Sequence, residues 1–410
     1  MNLENALSAC RARASEYLDT TRVKLDGACY WRFSPAHHPD LNPNHLMYGT
    51  WAGVLASVLL GKDRTFGPEM RSQIARGFER FQRPSGFFTM KPEAAVHDMP
   101  ADVEYLNLHC TNYALGALRA LGLPLRLPFP YLDELSSGEQ LRSWLARRNW
   151  TNPWAEGNNV VNLGSLYALL HENGTEWAGA RLRQLIQWHN EHQHPRTGLW
   201  HADAGRTRSD VLRVVAGAAH NLHLYYHLGL AVPEFARIID TCLGLGYLGI
   251  RSACIDIDIV DVLVNFRRYR YRVAEIDRVL ERYLVELLQV QNKDGGFSDS
   301  YVTPHRNHGL TTPARTSVTW ITWFRLATIG MIACAFMPEE RSRWTFRKTL
   351  GMGYYNLGYA LPQGQDGERL RHLSQTKPGA RLWLAARRAG RFQRQRAVWV
   401  ARRLLRPHRR

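Results

Sequence analysis

The chain is 410 residues long, 45% of them hydrophobic, and carries a formal charge of +17. That is enough apolar material for one large core or two small ones, while six scattered cysteines without a CxxC spacing exclude a disulfide framework and a zinc ribbon. The charge is uneven: residues 361–410 hold 14 Lys and Arg against Asp366 and Glu368, so the body reads as a mildly basic globule carrying a basic tail.

From the N-terminus, MNLENALSACRARASEYLDTT places Glu4 early and lacks the basic-then-apolar order of a secretory signal, which points to an intracellular, cytoplasmic protein. Apolar positions then recur at helical spacing in segments that fall into pairs. In chain order these are 3–23 with 45–60, 68–82 with 104–121, 137–147 with 158–171, 176–191 with 211–228, 233–245 with 257–268, and 273–290 with 316–335. The first member of each pair is the more charged, as in EIDRVLERYLVELLQVQ from Glu275. The second is the more apolar, as in LGSLYALL from Leu163, so the first should face water and the second should be enclosed. The longest apolar stretch, Leu326 to Met337, follows Arg325 and is too short to cross ~30 Å of hydrocarbon.

Turns of similar chemistry punctuate the helices: QRPSGFFT at 82–89, HQHPRTGLWHAD at 192–203 and QNKDGGFSDS at 291–300. Each ends a helix and passes through glycine into an aromatic residue. Six charged and six apolar helices in alternation predict an all-α fold, an (α/α)6 toroid of inner and outer helices occupying residues 1–361. Residues 362–380 read as a polar linker. Beyond it, residues 380–410 predict a basic helix with an apolar stripe through Leu382, Ala385, Ala389, Phe392 and Trp399. Such a tail suits an anionic membrane surface, which would make the protein peripheral there, or it is simply a solvated basic segment. A nucleic-acid partner rests on this tail alone.

In a toroid the residues opening the inner helices converge on one mouth. Those openings, with the loop WTNPWAEGNN, offer His109, Asn112, Trp154, Asn158, Asn159, Asn162, His220, Arg315 and Trp320 as substrate-binding candidates. The same mouth receives Asp256, Asp258 and Asp261 from ACIDIDIVDVLVNF. Capping a helix takes one or two acids, and three so close, bracketed by Ile and Val, raise the pKa of at least one by mutual repulsion. A carboxyl protonated near neutrality is a candidate general acid. The D-x-D-x-x-D spacing offers hard oxygens to Mg²⁺ or Ca²⁺ but lacks the glycine and remote glutamate of a calcium loop. Asp256 and Cys254 with a distant His305 or His308 suit zinc by ligand type and not by spacing. No cofactor is assigned, Mg²⁺ being the nearest alternative. No P-loop, dinucleotide fingerprint, GxSxG or HExxH motif occurs.

The stretch DIDIVDVLVNF, followed after a helix by LLQVQNKDGGFSDSY, resembles the terpenoid cyclase and protein prenyltransferase toroid superfamily. It is most similar to squalene-hopene-type cyclases, in which an acidic DxDD stretch precedes Q-x-x-x-G-x-W repeats. The turns at Gly86, Gly198 and Gly296 look like weaker copies of that repeat. The resemblance implies that Asp258 protonates an alkene and starts cationic cyclisation, with Asp256 as its hydrogen-bonded neighbour and Asp261 assisting. The leading expectation is therefore proton-initiated cyclisation or rearrangement of an isoprenoid-like lipid. The alternative is a glycan-active (α/α)6 hydrolase, lyase or epimerase of polysaccharide metabolism, favoured by the amides, imidazoles and tryptophans of the rim. A non-enzymatic binding ring is the third reading.

Overall fold

The computed structural model describes residues 2–36, 43–88, 101–125, 129–202, 207–246, 249–250, 252–301, 303–307 and 310–346. The expected linker and basic tail over 362–410 lie outside these, as does His308. Among the described residues the protein is all-α apart from two short hairpins. The helices are α1 (Leu3–Thr21), α2 (Pro43–Leu59), α3 (Pro68–Glu79), α4 (Ala101–Ala120), the single turn α5 (Pro130–Asp133), α6 (Gly138–Ala146) and α7 (Pro153–Glu172). They continue with α8 (Glu176–Glu191), α9 (Arg208–Leu228), α10 (Phe235–Leu245), α11 (Ala253–Phe266), α12 (Val273–Gln289) and α13 (Thr319–Phe336).

Each of the twelve paired helices expected from the periodicity is present. The hairpins were not expected. β1 (Arg22–Leu25) pairs antiparallel with β2 (Ala28–Trp31) through Asp26 and Gly27, both at positive φ, the turn that an Asp-Gly pair adopts between twisted strands. β3 (His305–Asn307) pairs with β4 (Leu310–Thr312) in the loop before α13.

The apolar helices contact one another in a cycle. α2 packs on α4, α4 on α7, α7 on α9, α9 on α11, α11 on α13, and α13 packs back on α2. The amphipathic helices lie against this set: α8 on α7, α10 on α9 and α11, and α12 on α13 and α11. Sequence decides which is which. On α12, Ile276, Leu280, Tyr283, Leu284 and Leu287 recur at helical spacing and are buried while Arg278 and Arg282 are exposed. On α13 all 18 residues are buried. By length and composition α13 could cross a membrane, but its apolar surface is already covered by protein.

Small residues set the closest approach. A Cβ at Gly157 would lie 2.0 Å from the Gly217 carbonyl oxygen, and one at Gly217 would lie 2.2 Å from that of Pro153. Any side chain at either position would push α7 off α9.

The repeated turns share one hydrogen-bond plan. A glutamine at or just after the preceding helix end donates its amide to a glycine carbonyl: Gln82 to Gly86 at 3.1 Å, Gln193 to Gly198 at 2.8 Å and Gln291 to Gly295 at 2.7 Å. Gly86, Gly198 and Gly295 all sit at positive φ, where a side chain is strained. The aromatic residue that follows is buried in each, and in the first and third turns its backbone reaches the next apolar helix. Phe88 N–H donates to Thr111 Oγ1 of α4 at 3.0 Å and Phe297 N–H to Thr322 Oγ1 of α13 at 2.9 Å.

Polar contacts tie the two ends of this region together. Thr319 donates its hydroxyl to the Arg32 carbonyl at 2.6 Å and its N–H to that of Phe33 at 2.8 Å. Arg11 forms an ion pair with Glu340, and Thr345 N–H donates to the Leu59 carbonyl at 2.8 Å.

Candidate functional site

Helix α11 opens at Ser252, whose side chain makes no capping bond. The role falls to Asp299 of the QNKDGGFSDS turn, whose Oδ1 accepts the Ala253 N–H at 2.5 Å. The turn thus fixes the start of the helix that carries the three aspartates, all fully buried.

The aspartates face different ways, because two residues along a helix turn the side chain by ~200°. Asp256 forms a buried ion pair with Arg325 of α13, and Asp299 approaches the same guanidinium at 4.0 Å. Asp258 and Asp261 meet α9 instead. His220 Nε2 lies 3.1 Å from Asp258 Oδ1, and His223 Nε2 lies 3.2 Å from Asp261 Oδ2. Asn265 donates to the other Asp261 oxygen at 3.0 Å. Burial pushes the Asp261 carboxyl above its ordinary range; His223 pulls it back, and the Asp258 charge adds to the rise. A raised carboxyl was expected from the mutual repulsion of desolvated acids. It occurs at Asp261, and burial is the main cause.

Helix α4 stands opposite α11 in the cycle, and its side chains extend toward it. Burial raises the Tyr105 phenol, and the neighbouring Cys254, Cys110 and Asp258 raise it further, so Tyr105 lies within electrostatic reach of Asp258. Tyr105 stacks on His109 at 5.3 Å, and His109 meets Tyr113 edge-on at 4.8 Å. Tyr113 stacks on Trp51 of α2 at 4.2 Å, and both abut Trp323 of α13 at 5.7 Å. Trp320 packs on Phe324 at 5.1 Å beside them. One side of the interior is therefore an aromatic wall, and the side formed by α9 and α11 holds two carboxyl–imidazole pairs.

A third group joins α4 to α7. Asn112 donates to Asn162 Oδ1 at 2.6 Å, and Asn158 donates to the Trp154 carbonyl at 2.7 Å. Asn159 donates to Glu156 at 3.3 Å. Glu156 and Glu104 share Arg148, at 3.4 and 2.6 Å. Glu104 also accepts from Trp144 at 2.8 Å and Tyr131 at 3.2 Å, which ties the pair to the outer layer.

His109, Asn112, Asn158, Asn159, Asn162, His220 and Trp320 are thus buried residues of α4, α7, α9 and α13. Trp154 is half-buried at the start of α7. Arg315 stands apart: it is exposed, and its Nε donates to the Tyr301 carbonyl at 3.0 Å. The buried cation beside the acids is Arg325. Sequence reading also missed His223, whose signal was present: His220 and His223 repeat the three-residue spacing of Asp258 and Asp261, so adjacent helices can pair twice in register. Among the described residues, no three His, Cys, Asp or Glu side chains are grouped so as to hold a metal ion.

Compared with known protein families, characterised proteins and solved structures, the chain matches none.

Proposed function

We propose that the protein is an (α/α)6 toroid enzyme that uses Asp258 as a general acid to start cyclisation or rearrangement of an isoprenoid-like lipid. The observation that carries this reading is the fully buried Asp258, hydrogen-bonded to His220 at 3.1 Å and within electrostatic reach of the aromatic side of the interior. The cycle of contacts among α2, α4, α7, α9, α11 and α13 supports the toroid.

The chemistry follows from that pairing. His220 Nε2, 3.1 Å from Asp258 Oδ1, can donate its hydrogen to that oxygen and orient the carboxyl toward the interior. The carboxyl O–H breaks, its proton bonds to one alkene carbon, and the other carbon becomes cationic. The carboxylate left behind keeps the hydrogen bond from His220. Trp51, Tyr113 and Trp323 present π faces and edges that suit a cation, an interaction that strengthens only as charge develops. The cation ends by losing a neighbouring C–H proton to a base or by capturing water and then losing a proton. Asp256 stiffens the seam between α11 and α13 through Arg325.

The test is product analysis with isoprenoid alkenes of C15 to C30, comparing the parent with Asp258→Asn. A cyclic or isomerised product made by the parent and absent with the variant is the expected result. Products unchanged by the variant would sink the proposal.

The amides of α4 and α7 favour a second reading, a glycan-active enzyme in which Asp258 is the acid and Asn112, Asn159 and Asn162 bind sugar hydroxyls. Turnover of an oligosaccharide with the same dependence on Asp258 would establish it. Docking of residues 380–410 on an anionic membrane is a separate proposal, tested by co-flotation of the full chain with anionic vesicles.

A further inference from the structure

We propose that Asn159 and Asn162 of α7 read a hydroxyl group on a neutral substrate, and that the interior of the helix cycle rejects anions. The inference rests on that interior being the substrate site. It does not depend on whether the substrate is a lipid or a sugar.

Asn162 is fully buried and Asn159 is 1% exposed. Each amide spends one of its two polar atoms on protein: Asn162 Oδ1 accepts from Asn112, and Asn159 Nδ2 donates to Glu156. The other atoms, Asn162 Nδ2 and Asn159 Oδ1, have no hydrogen-bond partner among the described residues. Leaving a buried polar atom without a partner is costly, which favours a ligand that supplies one. Two such atoms three residues apart lie on one face of α7. A hydroxyl both donates and accepts, so it can answer either atom whichever way each amide is turned. His220 Nδ1 is a third buried atom with no such partner.

Charge selects against an anion. The carboxyls of the interior and its walls are Glu104, Glu156, Asp256, Asp258 and Asp261. The guanidiniums that balance them are already engaged, Arg148 by Glu104 and Glu156 and Arg325 by Asp256. A diphosphate or uronate entering here would meet carboxyl groups beside guanidiniums that Glu104, Glu156 and Asp256 already engage. A molecule that is neutral when bound and positive at its transition state meets the opposite field.

The experiment measures binding to the full-length protein by calorimetry, with four probes: a C15 isoprenoid alcohol, its diphosphate, a neutral gluco-oligosaccharide and a uronic oligosaccharide. The same probes are then offered to Asn162→Leu and Asn159→Leu, each checked for fold by circular dichroism. At least one neutral probe should bind about tenfold or more tightly than its anionic counterpart, and at least one substitution should weaken it about tenfold. An anionic probe that binds as tightly as its neutral counterpart overturns the inference, as does binding indifferent to both substitutions or no binding by any probe. If only the neutral sugar shows the pattern, the inference stands and the isoprenoid reading falls.

Discussion

Nε2 of His220 lies 3.1 Å from Oδ1 of Asp258, and this hydrogen bond, with that of His223 to Asp261 one turn on, joins α9 to α11. If Asp258 is the acid, Asp258→Asn should lower turnover by about 10²- to 10⁴-fold with little change in melting temperature. His220→Gln keeps a hydrogen bond and removes the imidazole. It should lower kcat with KM and melting temperature near the parent's, a split that loss of packing alone would not produce.

Asp261 gives a pH signature in stability. Its carboxyl is raised in the folded state by burial, so the fold holds that proton more tightly than the unfolded chain does. The stabilisation is complete below the ordinary carboxylate range and is lost as pH rises through the raised value. Asp261→Asn removes the term, so its melting temperature should gain on the parent's as the buffer is taken from about pH 4 to about pH 8. A difference flat in pH would refute this.

His189 should act in the opposite sense. Burial holds its imidazole down at about 4, against partial compensation from Asn221 and the Leu185 carbonyl. The neutral ring is therefore part of the fold: its contribution is complete above the ordinary imidazole range and is lost as pH falls toward 4. That difference is worth roughly 3 kcal/mol, and His189→Gln should flatten the acid limb of stability measured by urea unfolding.

The ion pair of Arg325 and Asp256 should respond strongly to the loss of one partner. Arg325→Met leaves a buried carboxylate facing α13 and should cost about 3–5 kcal/mol. The double variant with Asp256→Asn should recover a large part of that in equilibrium unfolding.

The contact of Gly157 with Gly217 should tolerate no side chain. Gly157→Ala places a Cβ inside the Gly217 carbonyl contact and should destabilise by at least about 1–3 kcal/mol. Gly244→Ala in α10 meets nothing nearby and should stabilise by about 0.5–1 kcal/mol, providing the control in thermal melts.

The helices were legible in the sequence because apolar spacing is a local signal; the packing was legible only in outline. The start of α7 was placed at 158 and lies at Pro153, because the apolar run begins after Trp154 whereas the helix begins at a proline just after Asn152, which accepts the Ala155 N–H. The β1–β2 hairpin carried its own Asp-Gly signal, but the expected first helix ran to 23 and overlapped the start of β1. At the site, Asp256, Asp258 and Asp261 were found as a cluster because they are neighbours in sequence. That Asp256 serves Arg325, while the other two serve His220 and His223, depends on which helices adjoin α11. Arg315 was chosen for its place at a helix opening, and the buried guanidinium lies ten positions on, inside α13.

The contact of α13 with α2 bears on how the chain is made. Helix α2, with Tyr48, Trp51 and Val54 on its surface, emerges from the ribosome well before its neighbour α13, which follows more than half of these 410 residues later. Through that interval one flank of α2 has no final partner, so the nascent protein must shelter an aromatic surface that the finished molecule conceals. Pairing of such distant segments slows folding, and the last step of assembly should be the arrival of α13, with Thr319 bonding to the carbonyls of Arg32 and Phe33.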